Sequence, residues 1–455
     1  MKYLILILSV LFCVVSVFSK REKLALSFII FLLPFDANPF KSNFFFVGLN
    51  GLLIWSFWIS YNIRNKLNKR RNAQSHFTIV KYIYYFLFAG IILAIFTDNK
   101  GIDIATQADE FSQVVNISLY LITLIFFIKI LFIYKDETDY LYKLMYIFIT
   151  TSFIQLLSIV LPLSGYNNLL PSFLISSSTI YFDTSISKIV FRSLGLISDY
   201  EIIIDYVMMV LFFSLILINK GKTLIPIVSI IAAIIIGLLS GTRSFLVILV
   251  ISFLFYYAYH IVKVNVKQLF LITLLGGIVL IIVNQLFIDQ IVRSEIFNRL
   301  YFAWSVFAGG EFAESTNRGA LFTNYSVFEN VNLLGRGSLF FGEMLGNDMV
   351  SHNIILAIYA KYGVIGVAFI ILLTVKTTVF LYRAFKKAAT KEHKSEAILY
   401  FLLFLTLFLQ SMKVSPLRYL TSILLHSYMY LMVYFFYLKM VHFNSSDVLL
   451  KRPNL

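Results

Sequence analysis

The chain has 455 residues, 60% of them from the AVILMFWYC set and only 13% charged. A mean hydropathy of +0.86 over the whole length excludes an ordinary soluble globular protein and leaves no polar block for a separate soluble domain. The net charge of +15 resembles a nucleic-acid footprint, but membrane proteins carry a basic excess for topological reasons, and the lone cysteine, Cys13, excludes an internal disulfide or a multi-thiolate metal site.

Segments long enough to cross about 30 Å of hydrocarbon as helices recur along the whole chain. They are centred on residues 3–19, 24–40, 44–60, 79–97, 113–134, 144–162, 202–218, 223–239, 244–262, 268–288, 353–375, 397–412 and 420–438. The expected fold is therefore all-α: a single polytopic integral membrane domain over 1–455, with about 12–13 transmembrane helices.

The first span resembles a signal peptide, but no small-residue cleavage site follows it. Lys20-Arg21-Glu22-Lys23 reads instead as a stop on the inner side, which puts the N-terminus outside. Alternation then places 61–78, 135–143, 219–222, 263–267, the basic loop 376–396 and the tail from 439 on that inner face. These segments hold about 23 Lys and Arg, against about 12 on the opposite face, so the positive-inside rule selects this orientation. The inner face carries a net charge of about +16 and the outer face about −4, so the basic excess is topological and needs no nucleic acid.

Two long loops fall on the outer face, 163–201 and 289–352, and loops of that length in a compact chain are usually functional. Arginines outnumber lysines on this face: Arg192, Arg243, Arg293, Arg299, Arg318, Arg336 and Arg418. Topology does not ask for guanidinium over ammonium, whereas bidentate recognition of phosphate or carboxylate does. Pairing with outer acids is the competing explanation for any one of them. Arg243 is the least ordinary, because Ser240-Gly241-Thr242-Arg243-Ser244 is a short break between two apolar spans and holds a cation at the membrane boundary. Snorkelling to lipid phosphate is the alternative there.

The second outer loop ends in Arg318-Gly319, then Leu334-Gly335-Arg336-Gly337-Ser338, then Ser351-His352-Asn353 at the mouth of a span, with Lys361-Tyr362-Gly363 and Gly366 inside it. Glycines around Arg336 allow close backbone approach to an oxyanion. His352 stands where it could exchange a proton with a substrate, although a histidine at an interface is often a simple polar cap.

These residues resemble the O-antigen polymerase and O-antigen ligase superfamily of bacterial membrane glycosyltransferases, whose architecture is GT-C-like with long outer-face loops. Phe191-Arg192-Ser-Leu-Gly195 followed by Asp199-Tyr200-Glu201 is similar to the family's "R-x-x-G" entry into a span, and Ser240-Gly-Thr-Arg243-Ser to its "S-R-S/G" hairpin. Arg318, Gly335-Arg336-Gly337, His352-Asn353 and Gly363 to Gly366 are similar to its "R, G-x-G, H-N, G-x-x-G" signature. The likeness covers roughly 188–370, the first third matching in hydropathy alone. The chain departs from the family at Leu333-Leu334, where a proline is common, at Phe322 in place of a tryptophan, and at Asp199-Tyr200 in place of "D-P".

The resemblance implies metal-independent, inverting transfer of an oligosaccharide from undecaprenyl diphosphate at the outer leaflet of the bacterial cytoplasmic membrane, without a cofactor. Arg192, Arg243, Arg318 and Arg336 would bind the diphosphate, and His352 would be the base, with Glu343 and Asp348 as rival bases. The donor and acceptor are then carrier-linked glycans, with a chain-length regulator and a flippase as candidate partners and no nucleic acid. The six histidines, 76, 260, 352, 393, 426 and 442, are dispersed and suggest no metal site. A ligase that moves the finished glycan to lipid A core would use the same residues, and a flippase of lipid-linked sugars is the non-enzyme alternative. No internal repeat of the kind common in transporters is visible.

Overall fold

In a computed structural model of the chain, residues 2–35, 48–67, 104–163, 179–183, 188–192, 195–197, 200–240, 245, 249, 354–388, 390–413 and 420–450 are described. The elements are α1 Lys2–Phe18, α2 Glu22–Leu32, α3 Gly48–Leu67, α4 Ile104–Ile133, α5 Thr138–Leu163, β1 Thr179–Asp183, β2 Lys188–Arg192, α6 Tyr200–Asn219, α7 Leu224–Leu239, α8 Ile354–Lys387, α9 Lys391–Lys413 and α10 Leu420–Leu450. Apart from one hairpin, the described elements are helices. Among the described residues, five spans are long and apolar enough to cross a bilayer: Thr138–Leu161, Ile202–Asn219, Gly363–Lys387, Lys391–Ser411 and Thr421–Met440. The expected spans at 79–97, 244–262 and 268–288 and the loop 289–352 lie outside the described residues, except for Phe245 and Leu249.

Some boundaries differ from the sequence expectation, each for a local reason. The expected span 24–40 ends as a helix at Leu32, because Pro34 has no N–H to continue the ladder. The Ile30 carbonyl accepts from Leu33 N–H at 3.4 Å instead. The carbonyls this leaves open at Leu33 and Phe35 accept from Asn50 Nδ2, at 3.1 and 3.2 Å, so a side chain of α3 caps α2. The segment 376–396 is mostly helical, since α8 runs to Lys387 and α9 starts at Lys391. Lys386 and Lys387 occupy the last turn of α8, where cations suit the helix dipole.

The chain divides into two compact units. In the first, made of 1–151, 326–397 and 411–455, α1, α2 and α3 pack on one another, α3 on α4, and α10 on both α4 and α8. Thr123 Oγ1 accepts from Trp55 Nε1 at 2.8 Å, tying α3 to α4. The rings of Phe132 and Phe380 pack against Tyr434, joining α4 and α8 to α10.

Segments that the charge pattern groups on one face meet at one end of this unit. Arg64, only 8% exposed, donates to both Glu22 oxygens at 2.9 and 3.1 Å and to the Val17 carbonyl at 2.6 Å. Lys23 pairs with Glu137, and Tyr140 donates to the Lys23 carbonyl at 2.6 Å. Tyr142 donates to Glu396 at 2.5 Å, and the Lys439 ammonium lies 5.2 Å from the Tyr142 ring centre. Glu22, Lys23, Arg64, Glu137, Tyr140, Tyr142, Glu396 and Lys439 are thus drawn into one polar layer.

The Arg64 guanidinium holds the Glu22 carboxyl below the usual carboxylate range, and Glu22 in turn raises Arg64. A depressed carboxyl binds fewer protons folded than unfolded, so its stabilisation is complete at neutral pH and is lost as pH falls through the folded value. In thermal melts of the purified protein in detergent, acidification from pH 5 to 3 should therefore lower Tm more for the parent than for Glu22→Gln. Equal slopes would mean the pair contributes nothing to acid sensitivity.

Candidate functional site

The second unit, 152–325 with 398–410, contains the described parts of the first two sequence elements. β1 and β2 are rich in β-branched and aromatic residues, Thr179-Ile-Tyr-Phe-Asp and Lys188-Ile-Val-Phe-Arg, which favour extended backbone. They pair antiparallel from Asp183 opposite Lys188 to Thr179 opposite Arg192. Arg192 is thus the last residue of β2, three positions before Gly195.

Gly195 has a φ of +60°, a left-handed conformation costly for any residue with a Cβ. It also presses on α5: a Cβ there would stand 2.5 Å from Ser158 Oγ and 2.7 Å from Gln155 Nε2. Gln155 Oε1 accepts from the Leu196 N–H at 3.0 Å, while Ser158 donates to the Gln155 carbonyl at 2.7 Å. Gln155, Ser158, Leu196 and Ile197 are all buried. Gly195, three residues after Arg192, therefore seats Leu196 and Ile197 against α5.

The second element is anchored from both sides. α7 is an apolar helix closed at Ser240, whose N–H donates to Ile236 O at 2.9 Å and whose hydroxyl donates to Gly237 O at 2.7 Å. The Phe245 ring lies so close over Gly237 that a Cβ at 237 would overlap it. Ser240 and Phe245, the described residues on either side of 241–244, are both fully buried. Gly237→Ala should displace the Phe245 ring and, by overpacking, cost about 1–3 kcal/mol. A Tm loss that Phe245→Leu partly restores would check it; no loss would mean the ring does not press on Gly237.

α6 and α7 pack along their lengths as a helical hairpin. It turns at Gly221, φ +77°, where Gly221 N–H donates to Ile218 O at 2.9 Å and Lys222 N–H to Leu217 O at 3.0 Å. An antiparallel pair brings the start of α6 and the end of α7 to one end, so the flanks of Arg192–Gly195 and of Arg243 share that end. Arg243, Arg318, Arg336, Glu343, Asp348 and His352 themselves lie outside the described residues, as does the Arg192 side chain. The described part of the third element is in the first unit: Gly363 breaks α8 with φ 62° and ψ −157°, a conformation nearly restricted to glycine.

Sequence reasoning missed Gln155, Ser158 and Asp205. The signal for the first pair was a polar row at helical spacing on α5, Thr151, Gln155 and Ser158. That for Asp205 was a lone acid among the apolar residues 202–218. Among the described residues, no group of three or more His, Cys, Asp or Glu could hold a metal ion.

The fold defines the class: this is a helical membrane protein, with five helices among the described residues long and apolar enough to cross a bilayer. No protein-family model matches the chain, and no curated protein matches it in sequence.

Proposed function

We propose that the protein is a membrane glycosyltransferase that polymerises oligosaccharide repeat units carried on undecaprenyl diphosphate. The observation that carries this reading is the ordered set Arg192–Gly195, Ser240–Arg243 and Arg318–Arg336–His352–Gly363 in an otherwise apolar chain. The α6–α7 hairpin supports it by bringing the flanks of the first two elements to one end. The site faces the outside of the bacterial cytoplasmic membrane.

In the reaction an acceptor hydroxyl attacks the anomeric carbon of the donor sugar from the face opposite the diphosphate. A new glycosidic C–O bond forms, the bond to the diphosphate oxygen breaks, and the configuration inverts. His352, or Glu343 or Asp348 in its place, takes the hydroxyl proton. Negative charge grows on the departing diphosphate, and Arg192, Arg243, Arg318 and Arg336 lower the barrier by meeting it where water is scarce.

Reconstitution in liposomes with outward-facing carrier-linked repeats tests this. Longer carrier-linked glycans should form without ATP. Transfer to lipid A core without elongation would make the protein a ligase, and movement of the carrier across the bilayer with no new bond would make it a flippase.

A further inference from the structure

One face of α8 changes chemistry along its length. Beyond the Gly363 break, Ile365, Ile371, Leu372, Val375 and Tyr382 are exposed, whereas Gly366, Thr377, Leu381 and Ala384 are buried. At about 100° per residue the two sets occupy opposite halves of the helix. α10 packs against α8, with Phe380 stacked on Tyr437 at 4.7 Å between ring centres, and the exposed half is left to lipid. On that half the apolar side chains give way to exposed cations, Lys376, Arg383, Lys386 and Lys387, and α8 contains no acid. Arg383 and Lys386 form no ion pair among the described residues. The next acids in the chain, Glu392 and Glu396, belong to α9, and Glu396 is buried and accepts from Tyr142.

Depth places these cations at a headgroup. About 19 residues, or about 28 Å of helix, separate Gly363 from Tyr382, close to the thickness of the hydrocarbon core. Tyr382 therefore stands at the membrane boundary, where tyrosine is favoured. Helical side chains lean towards the N-terminus, and the Lys386 ammonium accordingly lies back over Tyr382, 5.0 Å from its ring centre. Arg383 and Lys386 are three residues apart and so are neighbours on the helix surface. Lys376, nearly two turns deeper on the same half, is costly in lipid unless it reaches an anion. Topology asks for positive charge on this side of the bilayer, but not for cations on the half of a helix that faces lipid.

We propose that this half of α8 binds an anionic phospholipid of the adjoining leaflet, with an acyl chain along Ile371, Leu372 and Val375 and the phosphate between Arg383 and Lys386. Charge complementarity selects the occupant: a zwitterionic headgroup brings a cation of its own to a cluster that holds no acid, and an anionic one does not. The site stands apart from the glycan chemistry and does not rest on it.

The test uses the full-length protein carrying Val375→Trp, reconstituted in vesicles of phosphatidylcholine and phosphatidylglycerol with one of the two brominated. Tryptophan quenching, corrected with the parent chain, reports which lipid lies on this face. Phosphatidylglycerol should be preferred by at least about 10-fold, at about 5-fold for each cation. Arg383→Gln with Lys386→Gln should abolish the preference without lowering Tm in detergent, since both side chains are exposed. The exchange of Arg383→Lys with Lys386→Arg should keep it. If the double Gln variant fails to insert, either single Gln change should still lower the preference several-fold. Equal quenching by the two lipids, or a preference that survives the Gln changes, overturns the proposal. Displacement of phosphatidylglycerol by inorganic phosphate overturns it as well, by giving these cations to a soluble phosphate.

Discussion

Replacement of Arg243 or Arg318 by Lys is expected to abolish glycan elongation, with a rate loss of roughly 10²–10³-fold, while the protein stays in the membrane at its normal level. Lysine keeps the charge but presents a compact ammonium in place of a planar fork, so it cannot donate two parallel hydrogen bonds to one phosphate group. A purely topological cation would tolerate this exchange, because the positive-inside rule and lipid snorkelling count charge and not shape. Measuring elongation in liposomes, with membrane-inserted protein quantified in parallel, separates the two. Normal polymerisation by both Lys variants would show that the diphosphate is bound elsewhere. In the same assay His352→Ala should lose at least about 100-fold if it is the base. Unchanged activity would pass the role to Glu343 or Asp348.

Gly195→Ala should have the next largest effect, and for a reason visible only in the fold. The substitution forces a left-handed backbone on a residue with a Cβ, costing about 1–2 kcal/mol. Overpacking against Ser158 and Gln155 adds about 1–3 kcal/mol. The Leu196 N–H would be pushed off Gln155 Oε1, releasing Leu196 and Ile197 from α5. Both Tm and elongation should fall. Ser158→Ala in the same chain should recover part of the Tm, since it deletes the nearest obstructing atom, but not the backbone strain. Full tolerance of Gly195→Ala would mean that the contact of this glycine with α5 carries neither stability nor activity.

How much of this was legible beforehand varies by element. α6 and α7 could be read within two residues, since a segment needing about 20 apolar residues to span leaves a long signal, whereas α5, α9 and α10 run past their apolar stretches, by up to 12 residues in α10. The β1–β2 hairpin was missed, because strand signals of five residues within a 39-residue loop are weak beside those of the spans. α2 was read too long, because hydropathy continues through Leu33-Pro34-Phe35 although the helix cannot. The Gly363 break was invisible as geometry, although Gly363 itself had been singled out.

The candidate site divides in the same way. Arginine in preference to lysine on one face, and glycines beside it, could be seen in the chain, since residue type alone marks the chemistry. Gln155 could not be assigned a role, because a polar residue in a span looks the same whether it caps a turn or faces another helix.

What the sequence determined by itself is the class of environment and the layout of charge: a membrane helix must satisfy its own backbone and bury apolar side chains in lipid, and both demands are written locally. What only the tertiary structure decided is which residues far apart in the chain meet. Gln155 receives Leu196, Phe245 covers Gly237, and Arg64 clasps Glu22, each contact joining residues on separate turns or helices. Such pairings depend on helix direction, depth and azimuth together, and apolar faces that pack well in many arrangements leave those three quantities unspecified until the whole chain is folded.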